Sequence, residues 1–309
     1  MIVTITLNPC LDNYIAVSGL EPDETNRSQA ITRYAGGKGI NVSRAVNEMG
    51  GETVVFGLIG GHEGNTLTSL LFAEGVPVSF TPIAEDTRAC FIIDDSLTNR
   101  QTRISPPGPR VRAAETRKLL AQIWKLGHKP EMLVCGGSVP PGLPPDTYAS
   151  IIKAARRRGV RTILDSSGDH LKAGVKAAPY LIKPNVSEAE ELLGRELTGE
   201  TDIIRAAREM VGLGVEIAVI SRAAGGLIAA SAGEVIKAVP PQVTPVSAVG
   251  AGDCTVAGLA MKLAQGADLA MACRLAAAMG TAAVLTPGTE LLKRAQVEKL
   301  LPLIQISSL

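Results

Sequence analysis

Short apolar runs alternate with segments of helical periodicity along most of this chain. The apolar runs have the length of buried strands, and they are VVFGLIG (54–60), MLVCGG (132–137), RTILDSS (161–167) and EIAVIS (216–221). Helical periodicity recurs between and after them, at 65–75, 145–159, 187–194 and beyond Asp253. Repeated alternation of strand and helix predicts a mainly parallel sheet with helices on both faces, and ligands at the carboxyl ends of its strands.

Residues at the ends of these segments support the boundaries. Gly75 and Gly159 follow helical patterns, as expected for helix ends. Ser187 and Glu190 have the spacing of a capping box, which predicts a helix start there. The two apolar stretches after Gly226 are separated by a short polar turn and predict a hairpin.

Two segments interrupt the alternation. Residues 8–35 and 76–105 carry charged, alternating, β-prone stretches without a helical pattern. Within the second segment, TRACFIIDD (87–95) and NRQTRIS (99–105) predict strands of a small antiparallel sheet. We interpret the two segments as a lid. Because no repeat or linker occurs, residues 1–309 are expected to form a single domain.

Charge and composition narrow the classes of partner. The 309 residues include 31 basic and 30 acidic side chains, so the net charge predicts no nucleic-acid or membrane partner. The N-terminus lacks the basic start of a signal peptide, and no uncharged run reaches the ~18 residues of a spanning helix. Five scattered cysteines without a C-x-x-C pair predict a reducing compartment, with neither a disulfide framework nor a zinc site. We therefore expect a cytoplasmic protein.

The segment AGGKGINVSRAV (35–46) is a candidate anion site. Its three glycines free the backbone just before a helical pattern, and Lys38 adds a positive charge. A tight glycine turn with a solvated lysine explains the same residues equally well. The segment is not a Walker A loop, because glycine follows Lys38 where serine or threonine is required.

The segment VGAGDCTVAGLA (249–260) combines a glycine loop with one carboxylate. A dinucleotide fingerprint would need glycine at Thr255, so that interpretation is weakened. Backbone N–H groups of 250–252 can instead face a phosphoryl group in its transition state. Asp253 would then be a general base for an attacking hydroxyl. The alternative is that Asp253 only caps a helix.

Two further sets of residues carry candidate phosphate chemistry. Where a strand meets a helix, KPNVSEAE (183–190) offers a carboxylate, Glu188, that could order a hydrated Mg²⁺, although an ordinary capped helix start is the alternative. Arg27, Arg88 and Arg103 lie in the two lid segments, and arginine binds phosphate through two parallel hydrogen bonds. Taken singly, each arginine is better explained as part of a solvated strand face.

Six short motifs occur along the chain in a fixed order: TLNPCLD (6–12), AGGKGIN (35–41), GGSVPPG (136–142), LDSSG (164–168), KPNxxE (183–188) and VGAGD (249–253). Together they resemble the ribokinase-like PfkB family of sugar kinases, over essentially the whole chain. The resemblance implies a three-layer α/β/α fold with a mainly parallel central sheet. It also implies a small β-sheet lid, which the family often uses for dimerisation.

The resemblance also implies a role for individual residues. The sugar and its existing phosphate would be bound by Asp12, Arg27, Gly37, Lys38, Asn41, Arg88, Arg103 and Ser138. ATP and its magnesium would be bound by Lys183, Asn185, Glu188, Ser221 and Gly226, with Glu188 on the metal side. The anion hole and the catalytic base would be Gly250, Ala251, Gly252 and Asp253.

The opening motif and the GSxPxG loop most resemble a branch of ketohexose-phosphate kinases. The implied reaction is ATP-dependent, with 1-phosphofructokinase as the first expectation and tagatose-6-phosphate kinase or 6-phosphofructokinase as alternatives. The implied assembly is a homodimer joined through the lid. A catalytically silent sugar or nucleotide sensor is an alternative of another class, against which Asp253 and its glycine loop argue.

Two positions depart from the family pattern. After Ser221 the family usually continues Leu-Gly, whereas Arg222 and Ala223 follow here. Ala223 lacks the freedom of glycine, so we expect a different loop on the adenosine side. Ahead of VGAGD the chain has Ser247 and Ala248, where threonine is common in the second position, and this weakens the expectation of a nearby monovalent-cation site.

Overall fold

The computed structural model describes residues 1–98 and 100–309, so Asn99, the first residue of the predicted strand NRQTRIS, lies outside the described residues. The described strands are β1 (Ile2–Thr6), β2 (Cys10–Val17), β3 (Ala30–Gly36), β4 (Thr53–Ile59), β5 (Val78–Pro82), β6 (Arg88–Asp95), β7 (Arg100–Ile104), β8 (Met132–Gly136), β9 (Arg161–Asp165), β10 (Leu181–Ile182), β11 (Ile217–Ser221), β12 (Leu227–Ala230), β13 (Val235–Val239) and β14 (Gln305–Ser308). The α-helices are α1 (Lys38–Glu48), α2 (Gly61–Ala73), α3 (Ala113–Ile123), α4 (Thr147–Arg156), α5 (Gly168–Val175), α6 (Val186–Leu193), α7 (Glu200–Gly212), α8 (Ala251–Ala264), α9 (Leu269–Ala283) and α10 (Arg294–Leu300).

Ten strands form one large sheet in the order β14-β13-β12-β11-β10-β9-β8-β1-β4-β5. Pairing is parallel from β5 through β11 and antiparallel from β11 to β14. The predicted hairpin is β12 with β13. The parallel strands end at one edge of the sheet, so residues at their carboxyl ends lie near one another.

Alternating side chains of the large sheet enter two separate cores. On β8, Met132 and Val134 pack on the side of α1, α8 and α9, whereas Leu133 and Cys135 pack on the side of α3 to α7. Burial on both faces explains why these strands read as continuous apolar runs. The predicted three-layer α/β/α fold is therefore confirmed. None of the helices in the described part of the chain has the length and apolar character needed to span a bilayer.

The small sheet has the order β3-β2-β6-β7 and lies in the two segments predicted as a lid. It contains less of the second segment than predicted, because β5 pairs in parallel with β4 at the edge of the large sheet. Only β6 and β7 of residues 76–105 belong to the small sheet. The predicted strands at 87–95 and 99–105 match these two elements and pair antiparallel as predicted, but the sheet as a whole is mixed because β2 and β6 pair in parallel.

The start of α6 differs from the sequence prediction. The capping box is formed by Asn185 and Glu188, not by Ser187 and Glu190, so the helix begins two residues earlier. The Asn185 side chain accepts from the Glu188 N–H at 2.8 Å, and the Glu188 carboxylate accepts from the Asn185 N–H at 2.9 Å. Asparagine is as good an N-cap as serine, and Asn185 is placed so that both hydrogen bonds of the capping box form.

Candidate active site

Asp253 lies in the first turn of α8, at the carboxyl edge of the large sheet. The residue that precedes the helix is Gly250, in a left-handed conformation with φ of 79°, and Asp253 makes no capping bond. Its carboxylate is 7% exposed and accepts a hydrogen bond of 2.8 Å from Nδ2 of Asn41 in α1. The capping alternative for Asp253 is therefore wrong, because its side chain faces the neighbouring helix.

The environment of Asp253 raises its pKa to about 6. Burial is the main cause, and the negative charge of Asp165 adds to it. The positive charges of Lys38 and Lys183 and the hydrogen bond from Asn41 act in the opposite direction. A carboxylate with a pKa near neutrality is ionised at pH 7 yet basic enough to take a proton, as a general base requires.

Asp165 is a member of this cluster to which the sequence reasoning gave no role. It ends β9, is 1% exposed, and accepts from Lys38 Nζ at 3.1 Å. Lys183 Nζ lies 3.5 Å from the same oxygen. Burial acts to raise the pKa of Asp165, but the two ammonium groups outweigh it and hold the pKa below its usual range. The available signal was a single carboxylate at the end of a buried strand, in the motif LDSSG.

Lys38 and Lys183 lie near the glycine loop, where their ammonium groups can bind phosphate oxygens. Burial acts to lower the pKa of Lys38, but Asp165 and Asp253 outweigh it and raise this pKa above its ordinary value, so the side chain stays charged. A Cβ on Gly252 would lie 3.6 Å from Lys183 Nζ, which places this ammonium beside the glycine loop. Backbone N–H groups and ammonium groups thus converge at the start of α8.

A buried network holds Asn41 in place. Arg44, one turn further along α1, donates to Asn41 Oδ1 at 3.4 Å and to the Thr289 carbonyl at 2.9 Å. The same guanidinium forms a two-bond pair with Glu74, at 2.6 and 2.8 Å. Because Arg44 occupies the amide oxygen of Asn41, the amide nitrogen is directed at Asp253.

The inner face of the small sheet carries three of the predicted sugar-end residues. Asp12 pairs with Cys90 in register and Arg103 pairs with Ile92, so Asp12, Arg88 and Arg103 share one face. Burial raises the pKa of Asp12, while Arg88 and Arg103 oppose this. Arg103 is exposed and donates to Gln101.

Arg88 and Ser138 are held by the loop around Asn8. Arg88 donates to the carbonyl of Pro106 at 2.8 Å and to that of Asn8 at 3.1 Å. The Asn8 side chain donates to Ser138 Oγ at 3.0 Å, and its own oxygen is buried without a partner. Asn8 was another residue without a predicted role. Arg27 lies exposed between β2 and β3, outside any helix or strand, so its phosphate contact stays a prediction.

An apolar cavity of about 390 Å³ lies on the other side of the glycine loop. Its walls come from the ends of β11 and β12, from residues 240–245, and from α8 and α9. Of the residues predicted for the nucleotide end, Ser221 and Gly226 line it, whereas Lys183, Asn185 and Glu188 do not. Gly252 of the predicted anion hole lines the cavity as well. Its volume lies within the range of small-molecule pockets, ~300–1,000 Å³, and its mostly apolar walls suit a planar base.

The loop that departs from the family pattern keeps a glycine-like backbone. Ala223 has φ of 49°, in the left-handed region that alanine rarely adopts. Arg222 fixes the loop by an ion pair with Glu200 at 3.0 Å and a bond to the Gly225 carbonyl at 2.6 Å. Gly226 has φ of 78°, and a Cβ there would collide with the Ala238 carbonyl, so only glycine fits.

Glu188 and Asp165 are the residues that fit a hydrated magnesium ion. Glu188 is half-buried, and its hydrogen bond to Asn185 uses one carboxylate oxygen. Asp165 Oδ2 is buried without a hydrogen-bond partner. Mg²⁺ is bound through one or two carboxylates together with waters and phosphate oxygens, so this donor set suits it.

Comparisons with known proteins identify the family of the chain. The family model described as pfkB family carbohydrate kinase matches residues 5–295. The ATP-dependent 6-phosphofructokinase isozyme 2 of Mycobacterium tuberculosis (strain ATCC 25618 / H37Rv) is 36% identical over 304 residues, covering 96% of this chain and 88% of the relative. The isozyme 2 of Escherichia coli (strain K12) is 35% identical over 301 residues, covering 97% of each chain.

Solved structures give the same result. Phosphofructokinase-2 from Escherichia coli, in complex with substrates and products, superposes with a TM-score of 0.93 at 35% identity, covering 97% of this chain and 98% of that one. The same enzyme in a tetrameric inhibited form has a TM-score of 0.92 at 34% identity and the same coverage. The resemblance and the enzyme class predicted from the motifs are confirmed. The chain belongs to the PfkB family of carbohydrate kinases, phosphotransferases that act on a sugar hydroxyl.

Proposed function

We propose that this protein transfers the γ-phosphoryl group of ATP to a hydroxyl of a ketohexose phosphate, with fructose 6-phosphate as the preferred acceptor. The sequence alone favoured fructose 1-phosphate. The choice of fructose 6-phosphate is supported by the curated relatives, which are named 6-phosphofructokinases and match the chain nearly end to end.

The buried Asp253 is the observation that carries the proposal. Its pKa of about 6, its bond to Asn41 and its position at the start of α8 suit a base that takes the acceptor hydroxyl proton. The alkoxide oxygen that results attacks phosphorus, the bond to the ADP oxygen breaks, and the proton stays on Asp253. N–H groups of 250–252 and the ammonium groups of Lys38 and Lys183 stabilise the charge on the phosphoryl oxygens.

The remaining predicted residues have supporting roles in this proposal. When bound, Mg²⁺ would lie beside Glu188 and Asp165 and would neutralise charge on the phosphates of ATP. The cavity that includes Ser221 and Gly226 takes the adenosine. Asp12 accepts from sugar hydroxyls, and Arg88 and Arg103 face the phosphate already on the sugar.

The outer face of the small sheet supports the proposed homodimer. Ile31, Phe91 and Ile104 share this face, and they are 59%, 38% and 52% exposed. Apolar residues that cluster on an exposed face mark protein interfaces. We propose that two copies of the chain join their lids there.

A panel of acceptors tests the proposed reaction. ADP release is measured with ATP and Mg²⁺ against fructose 6-phosphate, fructose 1-phosphate, tagatose 6-phosphate and free fructose. We expect the highest kcat/KM for fructose 6-phosphate, and a higher value for another acceptor would overturn that choice. Binding of both ligands without release of ADP would show a sensor in place of a kinase. The Asp253→Asn variant is the control for contaminating kinases.

A further inference from the structure

Two thiols and a carboxylate meet on the inner face of the small sheet. Cys10 and Asp12 lie on β2, and Cys90 on β6 pairs in register with Asp12. Their ligand atoms all lie within 4.8 Å of one another, and each of the three residues is at most 7% exposed. Within residues 1–98 and 100–309 this is the only group of three or more histidine, cysteine or acidic side chains so close together. No role assigned above uses the two thiols.

The two thiols differ from the other cysteines of the protein because they lie beside each other and beside a carboxylate. Cys10 Sγ donates to Asp12 Oδ1 at 3.1 Å. The interaction between the two thiols lowers the pKa of Cys90, with burial opposing and Arg88 assisting, and it raises the pKa of Cys10, which burial and Asp12 raise further. Cys135, by contrast, has its pKa raised by burial alone. A soft metal ion selects thiolate ligands, and its binding removes the proton from each thiol.

We propose that Cys10, Asp12 and Cys90 form a site for a thiophilic divalent cation of the zinc class. Binding would form two metal–sulfur bonds and one metal–oxygen bond, and release the two thiol protons to solvent. Three anionic ligands on a divalent ion leave one negative charge, which the nearby guanidinium of Arg88 offsets. The fourth tetrahedral position would stay open, as in zinc sites with three protein ligands.

The geometry requires only small shifts. With metal–ligand bonds of ~2.0–2.3 Å, ligand atoms around a tetrahedral ion lie about 3.5–3.8 Å apart. Separations of at most 4.8 Å therefore need movements of about 1 Å, within the reach of side-chain rotation. Mg²⁺ strongly prefers oxygen ligands, so the ion that accompanies ATP would not compete for two sulfurs. Sequence spacing did not reveal the site, because 79 residues separate Cys10 from Cys90 on the chain.

Occupancy of this site would inhibit the enzyme. The metal would take the carboxylate of Asp12 that the sugar hydroxyls need, so inhibition would compete with the sugar phosphate and not with ATP. This second step rests on the proposed function, whereas the metal site itself does not.

Cobalt(II) gives a direct test of the metal site without any assay of activity. The protein is stripped with EDTA, dialysed and titrated with Co²⁺, and near-ultraviolet thiolate-to-cobalt charge-transfer absorption is recorded. We expect one equivalent to produce the band, Zn²⁺ to abolish it, and the Cys10→Ser/Cys90→Ser double variant to lack it. The matched control is Cys135→Ala, another buried free thiol, which should keep the band. Absence of the band in the wild-type protein, or its persistence in the double variant, would overturn the site.

Buffered free Zn²⁺ then tests the inhibition. Cys10→Ser keeps a donor for Asp12, so the double variant should retain basal activity. Loss of outer-shell partners alone costs 10–100-fold in metal affinity, so loss of two ligands should weaken inhibition by at least about a hundredfold. Sugar phosphate should protect the wild-type enzyme and ATP should not. A cobalt band that sugar phosphate leaves unchanged would overturn the inhibitory step while the metal site stands.

Discussion

The two sheets carry their chemistry in different ways. The large sheet is covered by helices on both faces, so its candidate functional residues lie at strand ends, as Asp165 does at the end of β9 and Ser221 at the end of β11. The small sheet has functional residues across one face, at alternate positions such as Asp12 and Arg103. Strand ends hold charged groups in fixed, buried positions, whereas a sheet face presents several side chains that can contact one ligand at the same time.

This difference predicts that substitutions in the two sheets affect different kinetic constants. Changes at the strand ends and at α8 should reduce kcat, because the proposed function places those groups at the transferring phosphoryl group. Changes on the inner face of the small sheet should raise the KM for the sugar phosphate.

Asp253→Asn should have the largest effect on turnover. Removal of a general base costs ~10²–10⁴-fold in rate, so we expect kcat to fall by that factor. The same change should stabilise the fold. The pKa of Asp253 is raised from 3.8 to about 6 in the folded protein, so above pH 6 its carboxylate opposes folding by about 3 kcal/mol.

Steady-state kinetics and thermal unfolding at pH 8 measure the two effects. We expect a loss of kcat together with a rise in Tm. Near-normal turnover would show that Asp253 is not the base. A fall in Tm would show that the contacts of the Asp253 carboxylate stabilise the folded protein by more than its burial costs.

Asp165→Asn should damage both stability and catalysis. It leaves Lys38 and Lys183 without their shared buried partner, and breaking a buried ion pair costs ~3–5 kcal/mol. It also removes a negative charge that raises the pKa of Asp253, so the acid limb of the rate profile should move to lower pH. Urea unfolding and a pH profile of kcat/KM measure these effects. Asp169→Asn, an exposed carboxylate nearby, is the control and should change neither.

Arg103→Ala tests the other half of the comparison. We expect the KM for sugar phosphate to rise at least about tenfold, because a charge-assisted bidentate contact is lost. The KM for ATP should stay close to the wild-type value. Arg100→Ala is the matched control, since Arg100 lies on the same strand but faces the opposite side. An increase in the KM for ATP alone would place Arg103 at the nucleotide end.

The wild-type pH profile should show the environment of the base directly. Below a pH of about 6, kcat/KM should fall as Asp253 becomes protonated and can no longer accept a proton. Lys38→Met removes a positive charge that lowers this pKa, so the fall should begin at higher pH. If kcat/KM falls at the same pH in Lys38→Met as in the wild-type enzyme, the charge of Lys38 does not affect the pKa of Asp253.

Ala223→Gly should have the smallest effect. Ala223 lies in the left-handed region, where a Cβ costs ~1–2 kcal/mol, and glycine avoids this at some cost in unfolded-state entropy. We expect a gain in stability of about 0.5–1 kcal/mol and little change in kcat. Ala224→Gly, at the next position, has no positive φ to relieve and should lower stability. Equal effects from the two substitutions would contradict the strain at Ala223.

Much of the fold could be predicted because strand length and helical period leave distinct patterns. The limits of the small sheet could not be predicted. The alternating pattern of β5 is typical of an exposed lid strand, although β5 pairs with β4 in the large sheet. At the site, motifs indicated Asp253 and the lysines. Asp165 escaped because its partners Lys38 and Lys183 lie 127 and 18 positions away in the sequence, and only the parallel edge brings the three residues together. Ala223 was expected to change its loop, yet Arg222 holds the left-handed conformation.

The pairing of Asn41 with Asp253 has a consequence for how the protein is made. The two residues are 212 positions apart in the chain. At ~5–20 residues per second, synthesis of the intervening chain takes about 10–40 s. Through that interval α8 and α9 do not yet exist, so the apolar side of the large sheet that they cover stays open to water. A nascent chain that lacks α8 and α9 therefore exposes apolar surface of the kind that makes incomplete chains prone to aggregation, and the pair of Asn41 with Asp253 forms only when nearly the whole protein has emerged.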